Sequence, residues 1–281
     1  MSNSLATSDT SSPVNRVRMV LTEIKYQQLM FWRNRSSAIF TIGFASVFLV
    51  MLTATVHGHI TYLHDVTMAQ YYTPGFMAYG VISATFTNLA MITVLRRENG
   101  LLKRLRLSPL PGWALISAMI SSSMIVAVIE SAVLLAIGML AFGVSLDVSA
   151  VAPLAVAVVV GSVAFSSMGL TASTLVSSED SAGPVINIVF FVFLFLSGVW
   201  FPLDPGSVLA KVSNYFPIRR LLLAIFQPFI GHGVDPWAWK DLSVVVIWGI
   251  VGVVLAIRRF RWSPWKDDHP THSSFTLRRR S

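Results

Sequence analysis

Residues 113–142 read WALISAMISSSMIVAVIESAVLLAIGMLAF, a run of thirty residues in which Glu130 is the only charged side chain. A helix rises about 1.5 Å per residue, so roughly 20 residues cross a hydrocarbon core of about 30 Å. The rest of the chain has a similar character, because 54% of its 281 residues are hydrophobic and 12% are charged. Soluble domains are charged at roughly a quarter of their positions. The sequence therefore predicts an all-α polytopic membrane protein.

Five further apolar runs accompany this one, giving six predicted transmembrane helices; counts of five and seven remain open. The runs are residues 38–56, 72–95, 113–142, 150–176, 182–203 and 242–257. The last is short, and Lys240 and Arg258 would have to snorkel toward the headgroups for it to cross. An apolar segment after Leu221 is interrupted by Pro228 and is too short to cross. It favours outer re-entrant helices within about residues 201–236.

The basic residues of the short loops predict the orientation. Lys and Arg cluster before the first span, after the second and after the last, and six spans place these clusters on one side, the cytoplasm. Both termini are therefore predicted to be cytoplasmic. Lys211, Arg219 and Arg220 lie on the opposite side and fit this rule less well. The position of the positive charge beside the spans explains the net charge of +8 without a nucleic-acid partner.

The polar ends of the chain flank a permease domain predicted at residues 36–262. Residues 14–35 alternate apolar and basic side chains at helical spacing, which predicts an amphipathic helix on the inner membrane surface. A cytoplasmic extension of the first span is the alternative. Residues 1–13 are rich in Ser and Thr and are predicted to be disordered, with no cleaved signal sequence. Residues 263–281 are predicted to form a basic tail that contacts anionic lipid.

The loop after the second span, LRRENGLLKRLRLSPLPGW from Leu95, carries five basic residues and one acidic residue between Arg96 and Arg106. Topology alone accounts for the sign of this charge. The alternation of leucines with basic residues, ended by Pro109 and Pro111, predicts in addition a short cytoplasmic helix at about residues 96–108 on which a partner docks. The predicted docking residues are Arg96, Arg97, Glu98, Asn99, Gly100, Leu101, Leu102, Lys103, Arg104 and Leu105.

Two motifs in this order resemble the membrane subunits of ABC exporters of the type 2 permease family. They are RRENGLLKRLRLSPLP and FLFLSGVWFPLDPGSVLAKVSNYFPIRRLLLAI, the second beginning at Phe193. The first resembles the coupling helix of that family, and the second resembles the end of span five with the outer re-entrant helices. The chain is most similar in character to daunorubicin- and doxorubicin-resistance-type drug exporters. The resemblance implies a bacterial plasma membrane protein that exports a hydrophobic or amphipathic compound, with membrane lipids around it.

The resemblance also implies partners. The chain contains no G-x-x-x-x-G-K-[ST] motif, so a separate pair of ATPase subunits is expected to bind ATP and Mg and to supply the energy. A second permease copy or a sister permease would complete the transport path. The chain is not expected to be an enzyme by itself or to hold a cofactor.

Candidate functional residues occur along the predicted path. In related exporters the second and fifth spans line the route, so we predict substrate contacts from Phe86, Asn88, Met91, Asn187 and Phe191. Glu130 in the third span is added because a charge inside a span usually faces protein or water rather than lipid. An outer gate is predicted at Trp200, Phe201, Pro202 and Pro217, with an interfacial aromatic belt as the alternative for the aromatic members. The run SSMGLTAST, residues 166–174, predicts close helix packing through small residues.

Other function classes depend on a few side chains. Glu130 could act in a proton-coupled secondary transporter or in an intramembrane lipid-modifying enzyme, or it could make a structural hydrogen bond. His57, His59, His64 and Asp65 share an outer loop, but exposed histidines are common, and no metal site is predicted. The absence of cysteine excludes disulfides and thiolate chemistry.

Overall fold

The computed structural model describes residues 13–60, 66–106, 111–204, 206–231 and 234–259. The two predicted tails lie outside these ranges except for Pro13. His64 and Asp65 also lie outside them. Six described helices are long and apolar enough to cross a membrane, which confirms the predicted all-α polytopic class. They are Ala38–Thr55, Met68–Glu98, Gly112–Phe142, Val148–Ser173, Glu179–Ser197 and Trp239–Arg259.

The chain begins with helix α1 (Pro13–Arg33), which Asn34 separates from α2 (Arg35–Thr55). Helix α1 covers most of the residues for which an amphipathic helix on the inner membrane surface is predicted, and its position on a membrane stays a prediction. Large apolar side chains such as Val17 and Leu21 are exposed on it, and so are the neighbouring Arg16 and Arg18. A membrane surface is the environment in which such a helix buries its apolar side.

A small β-ribbon that the sequence did not predict follows α2. Strand β1 (His59–Ile60) pairs antiparallel with β2 (Val66–Thr67). Thr67 then caps the next helix, because its side chain accepts from the backbone N–H of Gln70 while the Gln70 side chain accepts from the backbone N–H of Thr67.

The second span changes geometry at its centre. Helix α3 (Met68–Ile82) continues into a π-helical turn (Ser83–Thr87) and then into α4 (Asn88–Glu98). Phe86 in this turn lies against Gly169, where an added Cβ would be 2.6 Å from the Phe86 carbonyl oxygen. The wide turn therefore brings the backbone of the second span close to the fourth.

Short helix α5 (Leu101–Arg106) precedes the long helices α6 (Gly112–Phe142) and α7 (Val148–Ser173), and α11 (Trp239–Arg259) packs parallel to α7. Small residues make that contact. Ser167 Oγ donates to the Gly249 carbonyl oxygen at 3.0 Å, and Thr171 Oγ1 donates to that of Gly252 at 2.8 Å. The predicted close packing of residues 166–174 is thereby confirmed.

Helix α8 (Glu179–Ser197) stops at Gly198, whose φ of 81° is a left-handed conformation that favours glycine. Two shorter helices, α9 (Val208–Ser213) and α10 (Pro217–Ile230), then lie between the fifth and sixth candidate spans. At about 21 Å, α10 is too short to cross a membrane. It packs against α3, α7, α8 and α11.

Among the differences from the sequence prediction, three have a clear physical reason. The fifth candidate span, α8, ends at Ser197 rather than at 203, because Gly198 turns the backbone while the sequence stays apolar. The final helix is not short, since it extends from Trp239 to Arg259. Pro228 does not interrupt α10, because it lies in the last turn. Only one backbone bond is lost there.

Hydrogen bonds distinguish the two ends of the bundle. At one end, named the α5 end, Arg97 of α4 meets the last residue of α7. At the other, named the α10 end, the Tyr71 hydroxyl donates to the Gly198 carbonyl oxygen. Because α11 runs parallel to α7, the described chain leaves its last span at the α5 end. The bond from Arg96 to Gln27 of α1 places the chain at the same end just before its first span. This agrees with an even number of spans.

Candidate functional site

The end of the second span is fastened to the end of the fourth by Arg97, which is only 2% exposed. Its Nη1 donates to the Ser173 carbonyl oxygen at 3.0 Å, and its Nη2 donates to that of Val176 at 2.6 Å. Its Nε donates to Glu98 Oε1 at 2.8 Å. Carbonyls at a helix C-terminus lack partners within the helix, and a cation there also meets the negative end of the helix dipole. Arg97 thus caps α7 from another helix.

The contacts of Arg97 with Ser173 and Val176 are named the clamp. A tight turn separates the clamp from α5. Gly100 has a φ of 70°, and its N–H donates to the Arg97 carbonyl oxygen at 3.0 Å. The element predicted as one helix over 96–108 is therefore the last turn of α4 followed by a separate six-residue helix. Residues 107–110 lie outside the described ranges.

Helix α5 has a buried side and an exposed side. Leu102 is 0% exposed and packs in a cluster with Leu89, Leu115, Met119, Leu170 and Ala256. Leu101, Lys103 and Arg104 are exposed. The described part of α5 thus presents one leucine and two cations at the end of the bundle, above an apolar anchor.

The predicted docking residues therefore divide into two groups. Arg97 and Leu102 face the interior of the chain and support the helix, so direct contact with a partner falls to the exposed members. Arg96 points elsewhere, because its Nη2 donates to Gln27 Oε1 of α1 at 2.6 Å. Docking by the exposed residues stays a prediction.

The residues predicted to line a substrate path do not meet in one place. Asn88, Met91 and Arg96 line a cavity of about 240 Å³ between α1, α4 and α6. Phe86 is buried against Phe193, with ring centroids 5.5 Å apart. Asn187 and Phe191, the two predicted path residues in α8, are exposed on the outside of the bundle.

Glu130 lies at the contact between α6 and α3 and is 0% exposed. Its carboxyl group packs against Gly80, where an added Cβ would lie 2.7 Å from Glu130 Cδ. Neither carboxyl oxygen has a hydrogen-bond partner among the described residues. The predicted structural hydrogen bond is therefore not found in this part of the chain.

The predicted outer gate residues lie at the α10 end. Trp200 packs edge-to-face on Phe48 and Phe76, with centroids 5.1 and 6.0 Å away. Phe201 is exposed and Pro217 is buried as the first residue of α10. Pro202, which follows Phe201 in the sequence, is partly buried. Trp200 is thus a packing residue in this conformation, and a gating role remains a prediction.

A family model described as ABC-2 type transporter matches residues 19–226, more than half of the chain. The chain belongs to the ABC-2 type transporter family. An ABC-2 membrane chain is a permease subunit of an ABC transporter, and such subunits normally pair with an ABC ATPase. The matched region contains the clamp, α5, the cavity and most of α10. No curated protein matches this ABC-2 chain.

Some residues that join the helices of this ABC-2 chain were not predicted from the sequence. Gln28 Nε2 donates to both the carbonyl oxygen and the Oγ of Ser122, at 2.8 and 2.9 Å, and thereby attaches α1 to α6. Asp241, at the start of α11, accepts from Arg220 Nη1 and Gln227 Nε2, both at 2.7 Å. A glutamine in an amphipathic helix and an aspartate before an apolar run carry no local signal of such partners.

Proposed function

We propose that this chain is the membrane subunit of an ATP-driven exporter that moves a hydrophobic or amphipathic compound, such as a drug-like molecule or a lipid, out of the cell. The observation that carries the proposal is the arrangement of α5, which exposes Lys103 and Arg104 while Leu102 anchors it in the bundle. Membership of the ABC-2 family supports the identity of the partner as a separate ATPase subunit.

Energy would reach the spans through the clamp. ATP and Mg bind in the partner, and the partner displaces α5. Gly100 joins α5 directly to the turn that follows Arg97, and Arg97 bonds the carbonyls of Ser173 and Val176. The second and fourth spans therefore move together, which shifts an equilibrium between inward-open and outward-open states.

The transport path would lie between two permease subunits, either two copies of this chain or this chain and a sister permease. The exposed face of α8, which includes Asn187 and Phe191, supports this arrangement, because a polar residue on a candidate span is costly against lipid. The proposed location is the bacterial plasma membrane, with the α5 end in the cytoplasm and both termini on that side.

Co-purification with candidate ATPases tests the docking site. The double variant Lys103→Glu/Arg104→Glu should lose the ATPase, because reversing both charges replaces attraction with repulsion at the same surface. Arg18→Glu/Lys25→Glu, which reverses two exposed charges on α1, is the matched control and should retain it. Arg97 is unsuitable for this purpose because it is buried. An ATPase that stays bound to the α5 variant, with coupled transport unchanged, would refute the docking role.

A proton-coupled secondary transporter is a second candidate, favoured by the burial of Glu130 without a described partner. The two functions differ in their energy source. Proteoliposomes that contain this chain alone should show no uptake of substrate driven by a proton gradient. Transport without any ATPase, abolished by Glu130→Gln, would establish the second candidate instead.

A further inference from the structure

The cavity between α1, α4 and α6 has two kinds of wall. Gln27, Arg96 and Ser122 supply polar groups, whereas Met30, Met91 and Met119 supply apolar surface. By contrast, the cavities beside α11 are almost wholly apolar. A site with one polar wall and one apolar wall matches a ligand that is itself amphipathic.

Among the described residues that line this cavity, Arg96 is the only charged one. Its guanidinium has five N–H donors, and in the described chain its one recorded hydrogen bond goes to Gln27 Oε1. Gln27 in turn donates from Nε2 to Glu23 Oε1 at 2.6 Å, so the amide bridges the cation and the Glu23 carboxylate, whose charge also acts on Arg96. No direct ion pair of Arg96 occurs among the described residues. Unused donors on a partly buried cation favour an anionic ligand.

Helix α1 forms one wall of the cavity. Gln28 holds it on Ser122, and Trp32 Nε1 donates to Gln28 Oε1 at 3.0 Å. Val17 and Leu21 on the same helix are exposed apolar residues. A helix with this composition lies at the level of lipid headgroups, so the cavity beneath it is accessible from the membrane interface.

We propose that this cavity binds the headgroup of an anionic phospholipid, with the lipid phosphate on Arg96 and the adjoining methylene groups between Met30, Met91 and Met119. Methionine side chains adapt to irregular apolar ligands. The volume of about 240 Å³ is smaller than the roughly 300–1,000 Å³ of a drug-sized site, so the acyl chains extend outside it along α1. The bound lipid joins α1 to the end of the second span.

Native mass spectrometry of the purified full chain in neutral detergent, without an ATPase, tests this site by titration with phosphatidylglycerol or phosphatidylcholine. Phosphatidylglycerol should bind more tightly. Arg96→Gln should weaken its binding by about tenfold or more, as expected for the loss of a charge-assisted hydrogen bond. Arg258→Gln, which removes an exposed charge at the same end of the bundle, is the matched control and should bind like the unmodified chain.

A second variant keeps the charge and reduces the space. Ser123→Leu places a larger apolar side chain on the cavity wall and should also weaken binding, even if Arg96→Gln fails to fold. Glycerol 3-phosphate separates a lipid site from a simple anion site, and it should not compete at concentrations equal to those of the lipid. Equal binding of the two phospholipids, full binding by Arg96→Gln or Ser123→Leu, or competition by glycerol 3-phosphate would overturn the proposal.

Discussion

Removal of the Arg97 side chain should both destabilise the protein and uncouple α5 from the spans. The substitution Arg97→Met keeps much of the length and the apolar stem but deletes every donor. It leaves the carbonyl oxygens of Ser173 and Val176 without this partner, and it leaves Glu98 without its ion pair. The site is closed to water by its own burial, with Arg97 at 2% exposure.

The magnitude follows from these contacts. A hydrogen bond to a charged group contributes about 1.5–3 kcal/mol, so the two carbonyl bonds together account for about 3–6 kcal/mol of the free energy of unfolding. Loss of one partner of a buried ion pair falls in the same range. Arg97→Lys should lose about half of this, because a single ammonium cannot bridge two carbonyls and a carboxylate in one plane.

Two measurements check this reasoning. Thermal unfolding of the purified chain in detergent should rank the unmodified protein above Arg97→Lys and Arg97→Met below both. At a temperature where all three are folded, the ATPase should still bind Arg97→Met, but substrate should no longer stimulate ATP hydrolysis. Unchanged unfolding, or intact stimulation in a folded Arg97→Met variant, would show that the clamp does not carry the coupling.

Further predictions concern helix contacts. Gly252→Leu should detach α11 from α7 and lower the free energy of unfolding by about 2 kcal/mol or more, because even a Cβ at this position lies 3.1 Å from the Met168 backbone nitrogen. Thermal unfolding measures this loss, and Val251→Leu at the neighbouring exposed position is the control. Asp241→Ala should cost about 3–5 kcal/mol by leaving Arg220 unpaired, and the cost should largely vanish in a background that already lacks the arginine. Glu130→Leu should raise stability by about 1–3 kcal/mol, because it removes buried oxygens without a described partner; a fall in unfolding temperature would reveal a partner.

Hydropathy was sufficient to find the six spans because each contains an apolar run close to or above the length that a bilayer requires. It failed at their ends for physical reasons. Lys240 and Asp241 lower the apparent hydropathy at the start of α11, yet the helix includes them because Arg220 and Gln227 satisfy the Asp241 carboxylate. After α8 the opposite holds, since the chain stays apolar beyond Gly198 and only the backbone turn ends the helix.

The sequence was sufficient to predict where the candidate site lies, but not which way its side chains point. The basic residues after the second span mark the α5 end, and their charge does not indicate which of them face the interior of the bundle. Arg97 turns inward because the end of α7 lies beside it, and Arg96 turns toward α1 because Gln27 lies there. Both neighbours are distant in the sequence, so no local pattern could separate these adjacent arginines.

The π-helical turn at Ser83–Thr87 determines how the second span is phased from one half to the other. The wide turn holds one more residue than an α-helix would need for nearly the same rotation, so a single-residue deletion within it would restore ordinary α-helical winding and leave the downstream half almost in phase. The same deletion in α4 would instead rotate Arg96 and Arg97 by about 100° and take both side chains away from their present partners. The second span can therefore lose a residue at the π-helical turn, but not beyond it, without disturbing the cavity beneath α1 and the cap on α7.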